Sequence, residues 1–76
     1  MKIVKLLFST DAKYRKFLVE TEEGEQIELI RTHYTEYADS VRWGYMVEAL
    51  FTFAHIDTPS VYRELENAFQ EWQNAR

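Results

Sequence analysis

The chain has 76 residues, carrying 9 Lys or Arg against 13 Asp or Glu for a net charge of −4. That length suits a single domain over residues 1–76, and that charge argues against non-specific duplex DNA binding, which requires phosphates to be neutralised by Lys and Arg. The absence of cysteine excludes disulfides and thiolate metal sites and points to a reducing compartment.

The apolar run after Met1 (Ile3, Val4, Leu6, Leu7, Phe8) is too short for a signal peptide or a membrane span, so a cytoplasmic protein is expected. Residues 2–8 read as a strand, rich in branched and aromatic side chains. Ser9 to Ala12 offers a turn. Residues 13–21 alternate, with Lys13, Arg15, Phe17, Val19 and Thr21 on one face and Tyr14, Lys16, Leu18 and Glu20 on the other. Glu22-Glu23-Gly24-Glu25 is the next turn, where Gly24 can take the positive φ of a short hairpin loop. Residues 26–32 return, with Ile27 and Leu29 facing one way and Glu28 and Ile30 the other. A three-stranded antiparallel meander follows.

The stretch 33–44 admits two readings. Thr35, Asp39 and Ser40 can each cap a helix, and Tyr37, Val41, Tyr45 and Ala49 lie on an i, i+4 row. A helix starting near 35 is the favoured expectation, although Gly44 inside it costs about 1 kcal/mol. The alternative is a short fourth strand near 40–43, with the helix starting at Gly44 or Tyr45. Either way a helix is expected up to His55. Thr58 and Pro59 predict a second helix start, with Thr58 as N-cap and Pro59 in the first turn. Val61, Leu65, Ala68, Phe69 and Trp72 then form one apolar stripe. The expected fold class is α+β: an antiparallel sheet of three strands, or four if 40–43 is one, packed against two C-terminal antiparallel helices.

Catalytic chemistry finds little support. No nucleophile–His–acid arrangement has a recognisable local context, no Gly-rich phosphate loop is present, and the abundant carboxylates lie on an exposed hairpin rather than in a cleft. His33 and His55, with Asp57 or Glu36, are the only candidate metal set, and nothing in their spacing enforces convergence. Neither a cofactor nor a metal is expected, and the chain reads as a non-enzyme.

The segment Glu20 to Glu28 holds five of the 13 acidic residues around one glycine. If Phe17 and Val19 face the helices, Leu18, Glu20, Glu28 and Ile30 share the open face of the sheet. A rigid surface mixing carboxylates with apolar groups suits a Lys/Arg-lined groove. The candidate contact residues are Tyr14, Leu18, Glu20, Glu22, Glu23, Glu25 and Glu28. Direct nucleic-acid binding by Lys13, Tyr14, Arg15, Lys16 and Phe17 is a lesser reading. Twelve aromatics exceed what a small core hides, so some are expected on a binding surface. A homodimer joined through the first strand or the aromatic helix is a further alternative.

Met1-Lys2-Ile3-Val4-Lys5, Leu7, Ser9-Thr10, Tyr14, Val19, Gly24 and Ile27, with Glu48, Phe51, Arg63, Leu65 to Ala68 and Glu71, resemble a family of small phage anti-CRISPR proteins. Those proteins block the type I-F surveillance complex by binding its Cas7-type backbone subunits. The resemblance implies a sheet packed by two antiparallel helices, a monomer or weak dimer in the bacterial cytoplasm, and inhibition without catalysis. The implied partner is the basic nucleic-acid-binding surface of a Cas (Cascade) complex, which would be blocked from target DNA. The family's contact tyrosines fall here on Leu6 and Glu20, a departure from its pattern.

Overall fold

The computed structural model describes residues 1–11, 13–33, 41–47, 49–50 and 52–76, with the Asp11 side chain left aside. The fold is α+β. Among the described residues five strands, β1 (Lys2–Asp11), β2 (Tyr14–Glu20), β3 (Gln26–His33), β4 (Val41–Val47) and β5 (Thr52–His55), precede one helix, α1 (Pro59–Asn74). Every strand pairs antiparallel with its sequence neighbour, giving the order β1-β2-β3-β4-β5.

The alternation read from sequence places β2 and β3 correctly. Phe17 and Val19 are fully buried, and Leu29 nearly so, against Leu65, Ala68 and Phe69 of α1. Phe17 is the hub of this core: its ring centre lies 4.9 Å from Trp72, 5.9 Å from Phe69 and 6.0 Å from Trp43. Edge-on and tilted rings at such spacings add to the gain from burial.

β1 is longer than expected and takes in Ser9, Thr10 and Asp11, residues expected in a turn, while Ala12 lies outside the described residues. Its register against β2 shifts three times, between Ile3 and Lys5, between Leu6 and Phe8, and between Ser9 and Asp11. Val4, Leu7 and Thr10 are the residues skipped. Bulges of this kind twist an edge strand and make it a poor template for another chain. Val4 and Leu7 are thereby left exposed.

Among the described residues the predicted first helix is absent: 41–47 and 52–55 form a β-hairpin, which leaves one helix there rather than two and five strands rather than three or four. The fourth-strand alternative was nearer, yet it too placed a helix after Gly44. Thr35, Glu36, Tyr37, Asp39, Ser40, Glu48 and Phe51 lie outside the described residues. The physical reason is visible at Trp43 and Gly44. Trp43 faces α1 and is fully buried, an inward position set by period two. Gly44 pairs with Ile30 on one side and His55 on the other, and the Phe53 ring lies where a Gly44 side chain would be. The glycine that weakens a helix here admits a neighbouring ring. Ile30, expected on the open face of the sheet, is instead fully buried there, outside the α1-facing cluster and beside Gly44, because the β4–β5 hairpin extends the sheet past it.

The C-terminal helix starts as predicted, with Pro59 in its first turn, but Thr58 makes no side-chain capping bond. Its stripe is inward at Leu65, Ala68 and Phe69, with Val61 and Trp72 half-buried.

Candidate interaction surface

β2 alternation places Tyr14, Lys16, Leu18 and Glu20 on the sheet face away from α1. Registry brings Glu28 opposite Leu18, and Gln26 opposite Glu20. On the other flank Lys2 lies opposite Glu20, Lys5 opposite Leu18 and Phe8 opposite Lys16. The candidates Tyr14, Leu18, Glu20 and Glu28 therefore share one surface, as the sequence predicts.

Its electrostatics differ from the expectation of a free anionic face. The Lys16 ammonium stands 3.2 Å from the Glu28 carboxylate and the Lys2 ammonium 3.8 Å from that of Glu20. Both acids are matched by lysines one strand away, an outcome of antiparallel registry that composition does not reveal. Such exposed pairs contribute only about 0–1 kcal/mol, so another molecule's cations could replace the lysines at small cost.

Among the described residues of this hairpin, the unpaired negative charge sits at the β2–β3 tip. Gly24 adopts φ +84°, the left-handed conformation expected of it. The Gly24 N–H donates to the Thr21 carbonyl at 3.0 Å, the Thr21 N–H to the Glu25 carbonyl at 2.8 Å, and the Glu25 N–H to the Thr21 hydroxyl oxygen at 3.2 Å. This closed loop holds Glu22, Glu23 and Glu25 outward, all exposed. Glu22 lies 3.9 Å from the Met1 ammonium. The Glu23 and Glu25 carboxylates make no ion pair or hydrogen bond among the described residues.

A shallow cleft joins the tip to the helix, lined by Met1, Thr21, Glu22, Glu23 and Glu64. Glu64, exposed on the side of α1 away from the apolar stripe, thus joins the acidic group. The helical stripe was the available signal, since it fixes which side of α1 faces out, but no local pattern tells that this side lies beside the tip.

Phe8 is the other residue the sequence did not single out. It is 53% exposed and stands edge-on to Tyr14, with ring centres 6.3 Å apart. At Leu6 and Glu20, where the resemblance places contact tyrosines, the side chains part company: Leu6 packs against the core cluster and Glu20 lies on the open face.

Behind the sheet a polar group ties β3 and β4 to α1. Arg31 grips Glu66 with two hydrogen bonds, Nε to Oε2 at 2.9 Å and Nη2 to Oε1 at 3.1 Å, and its guanidinium lies 3.9 Å from the Phe69 ring centre. Trp43 Nε1 donates to Glu66 Oε2 at 2.7 Å. Burial alone raises the Glu66 carboxyl, but the hydrogen bonds from Arg31 and Trp43 and the nearby positive charge outweigh it and hold it below its ordinary value. Tyr62 donates to the Val41 carbonyl, and its own titration is raised by burial and by Glu66. These groups are half-buried and mutually satisfied, as expected of a structural network.

The histidines are not brought together. His33 ends β3 with its Nε2 3.3 Å from Arg31 Nη1, and His55 ends β5 rather than a helix, edge-on to Phe53 at 4.9 Å. Among the described residues no three His, Cys, Asp or Glu are grouped to hold a metal, and no helix is long and apolar enough to cross a membrane. No protein-family model, no curated protein and no solved structure matches this chain.

Proposed function

We propose that this chain is a non-enzymatic binding module. Its acidic hairpin tip (Glu22, Glu23, Glu25), Glu64 and the adjoining open face at Leu18, Glu20 and Glu28 dock on a Lys/Arg-lined surface of another macromolecule. The observation that carries the reading is the tip itself: exposed carboxylates held on a closed loop, two of them without a cation partner among the described residues. Carboxylates held in place lose little freedom on docking and steer a basic partner by long-range attraction.

The specific form suggested by the resemblance is an anti-CRISPR inhibitor. It would act in the bacterial cytoplasm, as a monomer or weak dimer, by binding a type I Cascade complex where target DNA would lie, without contacting nucleic acid itself. With one helix among the described residues, the fold departs from the family architecture, so the acidic tip supports this reading more than the topology does. Pull-down of purified type I Cascade by the wild-type chain, followed by a target-DNA binding assay, tests it. Capture and lost DNA binding are expected, and Glu23→Lys/Glu25→Lys should abolish both. Capture unaffected by that reversal would remove the tip from the interface, and no capture would remove the Cascade partner.

A homodimeric interaction module is the second reading, favoured by the exposed Val4, Leu7 and Phe8 of edge strand β1. Light scattering that gives the monomer mass up to high concentration would dismiss it.

A further inference from the structure

The two edges of the sheet differ. β1 is interrupted by three register shifts and carries Lys2 and Lys5, both devices that keep an edge strand from pairing with another chain. β5 has neither. It pairs with β4 without a shift and holds no Lys, Arg, Asp or Glu.

The ladder fixes what β5 turns outward. The Ile56 N–H donates to the Trp43 carbonyl at 2.9 Å, which makes Ile56 and Trp43 a hydrogen-bonded pair continuing the β4–β5 ladder. Bonded and non-bonded pairs alternate along antiparallel strands. Thr52 and Ala54 therefore turn their backbone groups towards β4, while Phe53, opposite Met46, turns its N–H and C=O away from it. Those two groups have no partner among the described residues. Exposed apolar side chains gather beside this edge: Tyr45 and Met46 on β4, and Leu50 in the β4–β5 turn, 69% exposed.

We propose that β5 is a dimer edge, paired antiparallel with β5 of a second copy of this chain about a two-fold axis at Phe53. A second copy fits because the edge is self-complementary. The Phe53 N–H of each chain donates to the Phe53 carbonyl of the other, the pattern that a two-fold axis between antiparallel strands produces. Thr52 of each chain faces Ala54 of the other, so small side chains meet, and an uncharged strand sets no like charges across the axis. The same register brings the exposed Leu50 level with the half-buried Ile56 of the second copy. His55, which has a partner of its own, is not required. The pairing lies at the opposite edge from Val4, Leu7 and Phe8, and two strands away from the acidic tip. It does not depend on the docking function proposed above, and it leaves both tips of the dimer open.

The absence of cysteine lets disulfide exchange read the register. Pairing about Phe53 sets Thr52 and Ala54 of the second copy about 4.5 Å apart between Cα atoms, within disulfide range, and the two Thr52 residues roughly 8 Å apart, outside it. Equimolar Thr52→Cys and Ala54→Cys chains in a glutathione redox buffer should give mixed disulfide well above its statistical share. Light scattering of the wild-type chain should approach the dimer mass near millimolar concentration, with a dissociation constant on the order of 100 µM for so small an interface. Leu50→Glu should weaken association roughly tenfold or more with an unchanged thermal melt. Glu23→Lys/Glu25→Lys should not weaken it. Added salt should strengthen it, because each chain carries a net charge of −4, whereas docking of the tip on a basic partner weakens with salt. A monomer mass at millimolar concentration would overturn the proposal. So would a statistical disulfide mixture, the result a dimer joined at β1 would give, or a folded Leu50→Glu chain that associates as wild type does.

Discussion

Trp43 on β4 donates its indole N–H to the Glu66 carboxylate on α1 across 2.7 Å, while its ring is fully buried beside Phe17. One side chain thus closes the apolar core and supplies a polar clasp between sheet and helix. Replacing Trp43 with Phe keeps much of the ring but withdraws the donor from a half-buried carboxylate. Urea denaturation should show a loss of about 1–3 kcal/mol, and a Glu66→Gln background should shrink that loss because the charge needing a donor is gone.

The same pair sets an acid limb. The folded Glu66 carboxyl is held below its ordinary value of 4.5, through Arg31 and Trp43 overcoming the opposing effect of burial. A lowered folded value means that the unfolded chain binds the proton first. The stabilisation from this group is therefore complete above the unfolded value and is lost as pH falls through the folded one. Wild-type stability should decline below about pH 4.5 more steeply than that of Glu66→Gln. Parallel pH profiles of the two proteins would show that Glu66 is not held as described.

Gly44→Ala should disrupt the β4–β5 hairpin. A methyl there would stand 2.5 Å from Phe53 Cζ and closer still to the Ala54 backbone carbonyl. A side chain can rotate away, but the carbonyl moves only with its strand. The expected cost is on the order of 1–3 kcal/mol or more, and a Phe53→Ala partner mutation should relieve only part of it. Chemical denaturation of the four variants of that cycle measures both quantities.

Thr58→Ala should change little. Thr58 occupies the N-cap position with extended backbone angles, yet its hydroxyl makes no capping bond. A functioning cap would lose about 1 kcal/mol. A thermal melt within the error of wild type is expected, and a loss of that size would mean the hydroxyl caps the helix in solution.

Lys2→Ala/Lys16→Ala should leave stability within about 1 kcal/mol, because both lysines form exposed pairs. It should strengthen binding to a basic partner at low salt, since Glu20 and Glu28 would lose their internal cations. Weaker binding would show that the lysines, and not the acids, make the contact.

Much of this architecture is legible from local rules. The alternation of Phe17, Val19, Ile27 and Leu29 gives two strands and their inward face, Gly24 gives the hairpin between them, and Pro59 with the Leu65, Ala68 and Phe69 stripe gives the helix. Local rules misplace residues 41–55. There Val41 and Tyr45 satisfy a four-residue spacing as well as a two-residue one, and Gly44 is unfavourable in either element until a particular neighbour fills its space.

Residue spacing by itself determined which side chains share a face, because the strand and helix periods are properties of the backbone. Only the tertiary structure decided which charges meet. Lys16 reaches Glu28, Lys2 reaches Glu20 and Arg31 reaches Glu66 through registry between strands and the docking of a helix whose Glu66 lies 35 residues along the chain from Arg31. Coulomb attraction depends on distance in space, and separation along the chain carries no record of it.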